Sequence, residues 1–308
     1  MTAALATVLR DAGRRLRQAG VEAPSREARL LAGAVLAAAP AALIAGSGRM
    51  IDANQRDRLE AAVDRRAARE PLSHILGRRE FWSLEFRVDG SVLDPRPDSE
   101  TLVEAGLVAL AGRDRPWRLL DLGTGSGCLL LALLTELPAA TGLGIDRSPA
   151  ALAVAAENAD RLGLAARARF ACGDWGAGLA GEFDLILSNP PYIPSDAIAG
   201  LSPEVALYEP RLALDGGPDG LACYRRLAPQ LGPLATPGGT ILLELGDGQA
   251  DAVAGLMAGA GLVVGGLKHD LAGCARAILL HPAAGRRRRV GTGTSPAKKP
   301  FGNLKEPG

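Results

Sequence analysis

Two patterns of apolar residues divide the chain into two parts. Over roughly residues 1–75, apolar positions such as Leu9, Ala12 and Leu16 recur at helical spacing, and arginines occupy the other faces. Farther along, short continuous apolar runs alternate with helix-like segments, which is typical of buried strands in a parallel sheet. The sequence therefore predicts a small helical bundle followed by an α/β domain.

Polar residues predict where helices of the first part begin. Asp52, with Gln55 at the third helical position, predicts a capping box for a helix that runs to about Arg69. Ser25 is a candidate N-cap for the preceding helix. Alternating residues over 81–88 predict a hairpin that connects the two parts.

Six apolar runs predict the strands of the second part. They span residues 118–122, 143–145, 168–171, 183–188, 240–245 and 275–280. A helical segment over about 250–260 separates the last two runs. Because open α/β sheets keep their sites at the carboxyl ends of the strands, the residues directly after these runs are the candidates for chemistry.

A glycine-rich loop follows the first of these strands and leads into an apolar helix that begins near Cys128. Its residues are Gly123, Thr124, Gly125, Ser126 and Gly127. Glycines allow a tight turn and close approach of the backbone to a ligand, and a helix N-terminus offers unpaired N–H groups. The third glycine comes one residue too early for the dinucleotide fingerprint, so a pyrophosphate is not the preferred ligand.

Carboxylates stand at the ends of the next two strands. Asp146 ends the run at 143–145, about 20 residues beyond the loop, where an acidic side chain can accept hydrogen bonds from ribose hydroxyls. Asp174, beyond the run at 168–171, offers a carboxylate to an adenine amino group, and Trp175 offers an indole beside the ring. Each carboxylate alone could be a loop residue or a helix cap. Their recurrence at successive strand ends predicts a nucleoside site.

A polar and aromatic tetrad, Asn189, Pro190, Pro191 and Tyr192, follows the strand at 183–188. The prolines fix φ and remove two backbone donors, which leaves the Asn189 side-chain oxygen and the Pro190 carbonyl as converging acceptors. They could hold both N–H bonds of an amide or amine against the ring of Tyr192. A bare Asn-Pro also closes strands as a turn. The complete tetrad at a strand end favours a grip for a planar NH₂ group.

Together these features resemble the S-adenosylmethionine-dependent methyltransferase fold, in the branch that modifies amino groups. Further segments make the chain similar to the bacterial release factor glutamine methyltransferases (PrmC/HemK family) over roughly residues 5 to 281. These segments are 70–77, 80–82, 95–100, 208–214 and 215–221. The resemblance implies a Rossmann-like sheet with a small N-terminal helical bundle. Asp94 departs from the family, which usually has an apolar residue there, and is expected to alter the rim of the site.

The resemblance also implies an activity: methyl transfer to the glutamine amide nitrogen in the Gly-Gly-Gln motif of class-one release factors. S-adenosyl-L-methionine would be bound by the loop at 123–127 with Asp146, Asp174, Trp175 and Asn189. In the tetrad, all four residues would bind substrate, and three of them would be catalytic: Asn189, Pro190 and Tyr192.

The resemblance further divides the chain into functional regions. Residues 1–75 would dock the release factor, 76–92 would form a hairpin linker and 93–282 would be the catalytic domain. Residues 283–308, with four consecutive arginines, glycines and prolines, predict a disordered basic tail. That tail could contact RNA weakly or serve only as a solubilising end.

Composition agrees with a soluble enzyme. The 35 Lys and Arg against 34 Asp and Glu give a formal charge of +1, which predicts no overall attraction to nucleic acid. The four cysteines are far apart and lack a histidine cluster, which predicts no metal site, no disulfide scaffold and a reducing cytoplasm. No signal peptide or membrane span is predicted.

Two alternatives stay open at this stage. A methyltransferase that acts on the amino group of adenine or cytosine in nucleic acid shares the loop and the tetrad. It must extract a base from its stack and bind a highly charged polymer, so the near-neutral charge argues against it. A non-catalytic module that binds S-adenosylmethionine or a release factor would not need Asn189 or Tyr192, and both are present.

Overall fold

The computed structural model describes residues 3–39, 42–43, 49–270 and 273–283. The tail predicted at 283–308 therefore lies outside the described residues except for its first position. The chain divides into a helical unit, Met1–Arg78 with Gly200–Glu209, and a sheet unit, Arg79–Ala199 with Pro210–Gly308. Within the described ranges, no helix is long and apolar enough to cross a membrane.

The helical unit begins with helices whose apolar faces share one core. Its elements in chain order are β1 (Ala3–Ala4), α1 (Leu5–Gln18), α2 (Pro24–Leu36), β2 (Met50–Ile51), α3 (Ala53–Ala67) and α4 (Leu72–Leu76). Leu16, Leu31 and Leu59 come from three different helices and are almost completely buried in this core. The helical spacing of apolar residues therefore does predict which faces pack together.

The two predicted helix starts have different outcomes. The capping box of α3 is confirmed, because the Asp52 carboxylate accepts a hydrogen bond from the Gln55 N–H at 2.8 Å, and the Gln55 side chain accepts one from the Asp52 N–H. The prediction for Ser25 is wrong. The helix α2 already begins at Pro24, whose fixed φ suits the first helical position, so no side-chain cap forms.

A hairpin and an alternation of helices and strands follow. These elements are β3 (Arg78–Phe81), β4 (Leu84–Arg87), α5 (Glu100–Ala109), β5 (Arg118–Leu122), α6 (Cys128–Glu136), β6 (Thr141–Asp146), α7 (Pro149–Arg161), β7 (Ala168–Cys172), β8 (Phe183–Ser188), α8 (Pro203–Tyr208), α9 (Arg211–Leu214), α10 (Ala222–Leu234), β9 (Ala235–Glu244), α11 (Ala250–Gly259), β10 (Leu262–His269) and β11 (Ala275–Pro282). Of these, α8 belongs to the helical unit.

Seven strands of the sheet unit form one sheet in the order β10-β11-β9-β8-β5-β6-β7. Strands β5 to β9 are parallel, and β11 is antiparallel to both of its neighbours. The order reverses at β5, which lies between β6 and β8, and this is where open parallel sheets bind ligands. The predicted fold class is confirmed.

All six predicted strands are present in the sheet, and β10 is an additional one. Its residues Val263 and Val264 are exposed, because β10 lies at the edge of the sheet. An edge strand with one buried end lacks the continuous apolar run by which the other strands were predicted.

Helices cover both faces of the sheet. Alternate residues of β5 belong to the hydrophobic cores on opposite faces of the sheet: Leu119 packs with α5 and α6, whereas Leu120 packs with α10 and α11. With both faces buried, only the strand ends and their loops are left to carry polar chemistry.

Partly buried ion pairs hold α8 in the helical unit. The Arg66 guanidinium, 5% exposed, donates to Glu27 at 2.5 Å and to Glu204 of α8 at 2.9 Å. Arg69 donates to both oxygens of Glu204 at 2.7 Å. Burial raises the pKa of Glu204, but the hydrogen bonds from Arg69 and Arg66 outweigh this effect and lower the pKa to about 2.

Replacing Glu204 should therefore destabilise the protein. We expect Glu204→Ala to lower the free energy of unfolding at pH 7 by about 2 kcal/mol, because it removes the one carboxylate that both guanidinium groups share. Among the described residues, Arg69 then keeps only backbone carbonyls as partners, and Arg66 keeps Glu27 and the Glu70 carbonyl. Since the folded pKa of Glu204 is depressed, the difference should shrink as the pH falls from about 4.5 towards 2. Urea unfolding followed by circular dichroism measures both effects.

A matched control is Glu60→Ala, because Glu60 pairs with Arg56 on the surface. This variant should change the free energy of unfolding by less than about 0.5 kcal/mol. Equal losses in the two variants would contradict the role of Glu204.

Candidate functional site

A cavity of about 420 Å³ lies at the carboxyl ends of the parallel strands, where the strand order reverses. This volume is within the usual range for small-molecule sites. Nine of the predicted site residues line it: Gly123, Thr124, Gly125, Ser126, Asp146, Asp174, Trp175, Asn189 and Pro191. Three others, Gly127, Pro190 and Tyr192, are not among the lining residues.

The glycine loop follows β5, and its three glycines have left-handed backbone conformations. Gly125 has φ +55°, and a Cβ built there would meet nothing within 4 Å, so the space in front of it is open. Gly127, with φ +80°, precedes α6, and a Cβ there would lie 3.3 Å from that of Ala155. Gly125 therefore allows a ligand to approach the backbone, whereas Gly127 allows α6 to pack closely against α7.

The Asp146 carboxylate at the end of β6 is fixed by backbone donors. One oxygen accepts from the Gly125 N–H at 2.9 Å and the other from the Ser148 N–H at 2.9 Å. Each carboxylate oxygen can accept a further hydrogen bond. The loop and the strand end are thus joined, and two acceptors of fixed geometry remain available to a ligand.

Asp174 and Trp175 lie on the cavity wall beyond β7. The Asp174 carboxylate forms an ion pair with Arg226, which also lines the cavity. Trp175 has φ 54°, and its ring lies against the backbone of Gly123. A flat apolar surface and a paired carboxylate therefore border the space in front of the loop.

The Asn189 side chain, at the end of β8, belongs to a chain of hydrogen bonds that we call the Asn189 network. Asn189 Nδ2 donates to Ser99 Oγ at 3.2 Å, and Ser99 Oγ donates to Glu244 Oε2 at 2.5 Å. The Tyr192 hydroxyl donates to Glu244 Oε1 at 3.4 Å. Since Ser99 takes up the amide NH₂, Asn189 Oδ1 is the atom left to accept a hydrogen bond from a bound NH₂ group.

The charge states of this network follow from burial. Burial raises the pKa of Glu244 to about 7, although the hydrogen bonds from Ser99 and Tyr192 and the nearby Arg276 lower it. Burial also raises the pKa of Tyr192, which keeps its hydroxyl a neutral donor. Glu244 is therefore ionised above neutral pH and accepts both hydrogen bonds.

Three residues were missed in the analysis of the sequence: Ser99, Glu244 and Asp121. Ser99 ends a short 3₁₀ helix, Pro97–Ser99, within the segment 95–100 that carries part of the family resemblance. Asp121 and Glu244 interrupt apolar strands with a buried carboxylate. A charged residue inside a buried strand was the available signal, because such a charge needs specific partners.

Asp121 lies beneath the glycine loop and is 1% exposed. Its Oδ2 accepts from the Thr124 hydroxyl at 2.7 Å, and its Oδ1 has no hydrogen-bond partner among the described residues. Burial raises the pKa of Asp121 to about 7, against the hydrogen bond from Thr124, which lowers it.

Asp94 is buried beside the cavity and does not line it. Its Oδ2 lies 3.8 Å from Arg79 Nη1, whereas its neighbours Leu93 and Pro95 line the wall. Arg79 also donates to the Pro95 carbonyl at 3.2 Å. Asp94, where the family usually has an apolar residue, therefore contacts the β3 residue Arg79 behind the cavity wall and does not form the rim itself. Among the described residues, no group of three or more His, Cys, Asp or Glu could hold a metal ion.

Family models match both parts of the chain. One described as the PrmC N-terminal domain matches residues 7–77, and one described as a methyltransferase domain matches residues 114–257. The two matched segments cover the start of the helical unit and most of the strands of the sheet.

Similar curated proteins carry one name, release factor glutamine methyltransferase. The protein from Rhodospirillum rubrum is 53% identical over 277 residues, which is 90% of this chain and 83% of that protein. The one from Caulobacter vibrioides is 47% identical over 262 residues, covering 85% of this chain and 90% of its own. The one from Deinococcus radiodurans is 38% identical over 281 residues, which is 91% of this chain and 99% of that protein.

Two solved structures are similar to parts of the chain. The hMettl16 catalytic domain, at 14% identity, covers 76% of this chain and 84% of its own with a TM-score of 0.53, which shows a likeness of fold alone. A release factor-specific protein-(glutamine-N5) methyltransferase from Alicyclobacillus acidocaldarius is 29% identical over 64% of this chain and 100% of its own, with a TM-score of 0.39.

The buried Asp121 carboxyl should leave a signature in the pH dependence of stability. Its folded pKa of about 7 lies above the ordinary value of 3.8, so the folded protein keeps a proton that the unfolded chain releases between these values. Asp121 therefore makes the free energy of unfolding fall as the pH rises through this window, by at most about 1.4 kcal/mol per pH unit. Asp121→Asn should remove that fall, which urea unfolding between pH 4.5 and 8 measures.

The control is Asp57→Asn, because Asp57 is exposed in the helical unit. Its stability profile should run parallel to that of the unmodified protein. If the profile of Asp121→Asn also ran parallel, Asp121 would not carry a raised pKa.

Proposed function

The chain belongs to the family of release factor glutamine methyltransferases, and we propose that it methylates the glutamine of the Gly-Gly-Gln motif in class-one release factors. The family resemblance read from the sequence is confirmed, as is the enzyme class, protein-glutamine methyltransferase. The observation that carries the finer proposal is the Asn189 carboxamide, whose oxygen is left free on the wall of the cavity that contains the glycine loop.

S-adenosyl-L-methionine is the proposed methyl donor, and when bound it supplies an electrophilic methyl carbon on a sulfonium. The cavity fits such a molecule because Gly125 leaves open space and Asp146 presents two fixed acceptors for ribose hydroxyls. Trp175 offers a flat face to adenine, and Asp174, while paired with Arg226, keeps a lone pair for the adenine amino group. The proposed transfer needs no metal.

The proposed role of the tetrad is to orient a poor nucleophile. An amide nitrogen shares its lone pair with the carbonyl, so the enzyme must hold it where the lone pair points at the methyl carbon. Asn189 Oδ1 would accept one amide hydrogen and the Pro190 carbonyl the other. Such positioning can contribute roughly 7–11 kcal/mol, whereas a single hydrogen bond contributes about 1 kcal/mol. Geometry is therefore the main source of catalysis.

Proton release needs no dedicated base in this scheme. The C–N bond forms as the C–S bond of the sulfonium breaks, which leaves a neutral thioether and moves the positive charge to the amide. The nitrogen is then strongly acidic, and its proton can pass to an acceptor that already holds it or to water. Tyr192 contributes indirectly, because its hydroxyl donates a hydrogen bond to Glu244. The chain's part is to bind, orient and exclude water.

We further propose that residues 1–75 help to dock the release factor, that 76–92 link them to the catalytic domain at 93–282, and that the protein acts in the cytoplasm. The match of residues 7–77 to the PrmC N-terminal domain supports the first assignment. Within this unit, the capping box of α3 and the ion pairs of Arg66 fix the helices that a partner would contact.

The proposed function is tested by incubating the purified protein with labelled S-adenosyl-L-methionine and candidate acceptors, followed by mass mapping. The acceptors are a class-one release factor, its variant with the Gly-Gly-Gln glutamine replaced, unmethylated DNA and RNA. We expect label on that glutamine alone. Label on a base would favour the nucleic-acid alternative, and tight cofactor binding without label would favour a non-catalytic module.

Truncation of Asn189 should disable transfer. We expect Asn189→Ala to lower turnover by roughly 10²-fold, because it removes a preorganised acceptor that acts mainly in the transition state. Single-turnover methylation of the release factor measures this. Thr135→Ala, at an exposed position of α6 that does not line the cavity, is the control and should keep the unmodified rate. Near-normal turnover of Asn189→Ala would reject its catalytic role.

A methyl group added at Gly125 should compete with the cofactor. We expect Gly125→Ala to weaken binding of S-adenosyl-L-methionine by about tenfold or more, since the new Cβ would enter the open space of the cavity. Isothermal titration calorimetry measures the change.

Gly163→Ala is the matched control for Gly125→Ala. Gly163 has φ +70°, a Cβ there would also meet nothing within 4 Å, and it does not line the cavity. Both variants should lose about 1 kcal/mol of stability from backbone strain, but only Gly125→Ala should lose affinity. Equal affinities would show that the loop does not contact the cofactor.

A further inference from the structure

The amide of Asn189 can adopt two orientations of nearly the same shape. A half-turn of the side chain exchanges Oδ1 and Nδ2, and with them an acceptor and two donors. Only the orientation with Oδ1 towards the substrate can accept a hydrogen bond from an incoming NH₂ group. The site therefore needs some group that selects one orientation over the other.

Ser99 and Glu244 provide a hydrogen-bond direction that makes this selection. An ionised carboxylate only accepts hydrogen bonds, so the proton of the Ser99 hydroxyl must point at Glu244 Oε2, 2.5 Å away. Ser99 Oγ can then only accept from Asn189, and the contact at 3.2 Å therefore requires the NH₂ group of Asn189. The orientation of the Asn189 amide therefore follows from donor and acceptor rules once Glu244 is ionised.

The selecting pair is itself held rigidly. Ser99 is 3% and Glu244 is 2% exposed, so water has little access to their hydrogen bond. The other oxygen of Glu244 accepts a hydrogen bond from the Tyr192 hydroxyl. The Arg276 guanidinium lies near the Glu244 carboxylate and is paired with Asp98. Buried hydrogen bonds with a charged partner are the strong ones.

We propose that Ser99 and Glu244 are positioning residues of the methyl transfer, which turn the Asn189 amide so that Oδ1 accepts a hydrogen bond from the amide NH₂ of the substrate. This inference rests on the proposed function, because it requires an acceptor that carries an NH₂ group. It explains why a carboxylate is buried at the end of an otherwise apolar strand, 145 positions away from the serine that it contacts.

Substitutions of Ser99 and Glu244 should disturb the Asn189 amide in different ways. In Ser99→Ala the amide of Asn189 loses its partner and can turn freely. In Glu244→Gln the new NH₂ group can donate to Ser99 Oγ, which frees the serine hydroxyl to donate to Asn189 Oδ1. That reverses the network and presents the NH₂ group of Asn189 to the substrate. Both effects reach Asn189 through Ser99, so they should not multiply.

The kinetic test compares single-turnover rates at pH 8, where Glu244 is ionised. Ser99→Ala and Glu244→Gln should each lower the rate by about tenfold or more, the equivalent of one lost hydrogen bond. The double variant should be less than about twofold slower than Ser99→Ala. Affinity for S-adenosyl-L-methionine should stay within about twofold, and Ser99→Thr, which keeps the hydroxyl, should recover most of the lost rate.

Thr236→Ala is the matched control, since the Thr236 hydroxyl also donates to a strand carboxylate, Asp184 Oδ1 at 3.3 Å, but neither residue lines the cavity. It should leave the rate unchanged, and circular dichroism verifies that each variant is folded. Unaltered rates in Ser99→Ala and Glu244→Gln, or reductions that multiply in the double variant, would overturn the proposal.

A second measurement does not depend on the substrate. The side-chain NH₂ resonances of Asn189, identified by their absence in Asn189→Asp, should exchange slowly with solvent and at least about tenfold faster in Ser99→Ala. Equal protection in the two proteins would overturn the proposed orientation. If the unmodified protein transferred no methyl group to a release factor, the proposed function would fail, while this spectrum would still decide how Asn189 is oriented.

Discussion

Burial of the Glu244 carboxylate at the end of β9 is the constraint on which the arrangement of the site depends. A charge so far from water is costly unless donors surround it, and here the hydroxyls of Ser99 and Tyr192 meet its two oxygens. These bonds connect the 3₁₀ helix before α5 with the ends of β8 and β9. The orientation of Asn189 is a consequence of satisfying that charge.

Two buried carboxylates and one partly buried carboxylate show how hydrogen-bond partners decide the effect of burial on the pKa. Asp121 and Glu244 have mainly neutral donors, so burial dominates and raises the pKa of each to about 7. Glu204 is held by two guanidinium groups, and there the charge pairing dominates and lowers the pKa. The first two lie at strand ends near the cavity, whereas the third fixes α8 in the helical unit.

Much of the fold could be predicted because parallel strands buried on both faces appear in the sequence as continuous apolar runs. The location of the site could be predicted because open α/β sheets bind ligands at the carboxyl ends of their strands. That rule also predicted Asp146 and Asn189 as wall residues of one cavity. The edge strand β10 escaped prediction because it lacks an apolar run, and Ser25 was misjudged because Pro24 already starts its helix. The Asn189 network could not be predicted, since its hydrogen bonds span 90 and 145 positions and leave no periodic pattern.

In the proposed reaction, the side-chain oxygen of Asn189 accepts a hydrogen bond from the amide NH₂ group of the substrate. The most direct test is a high-resolution crystal structure of the protein with S-adenosylhomocysteine and a Gly-Gly-Gln peptide. We expect the glutamine nitrogen at about 3 Å from Asn189 Oδ1, with Asn189 Nδ2 still hydrogen-bonded to Ser99. A glutamine side chain bound elsewhere, or an Asn189 amide turned away from Ser99, would contradict it.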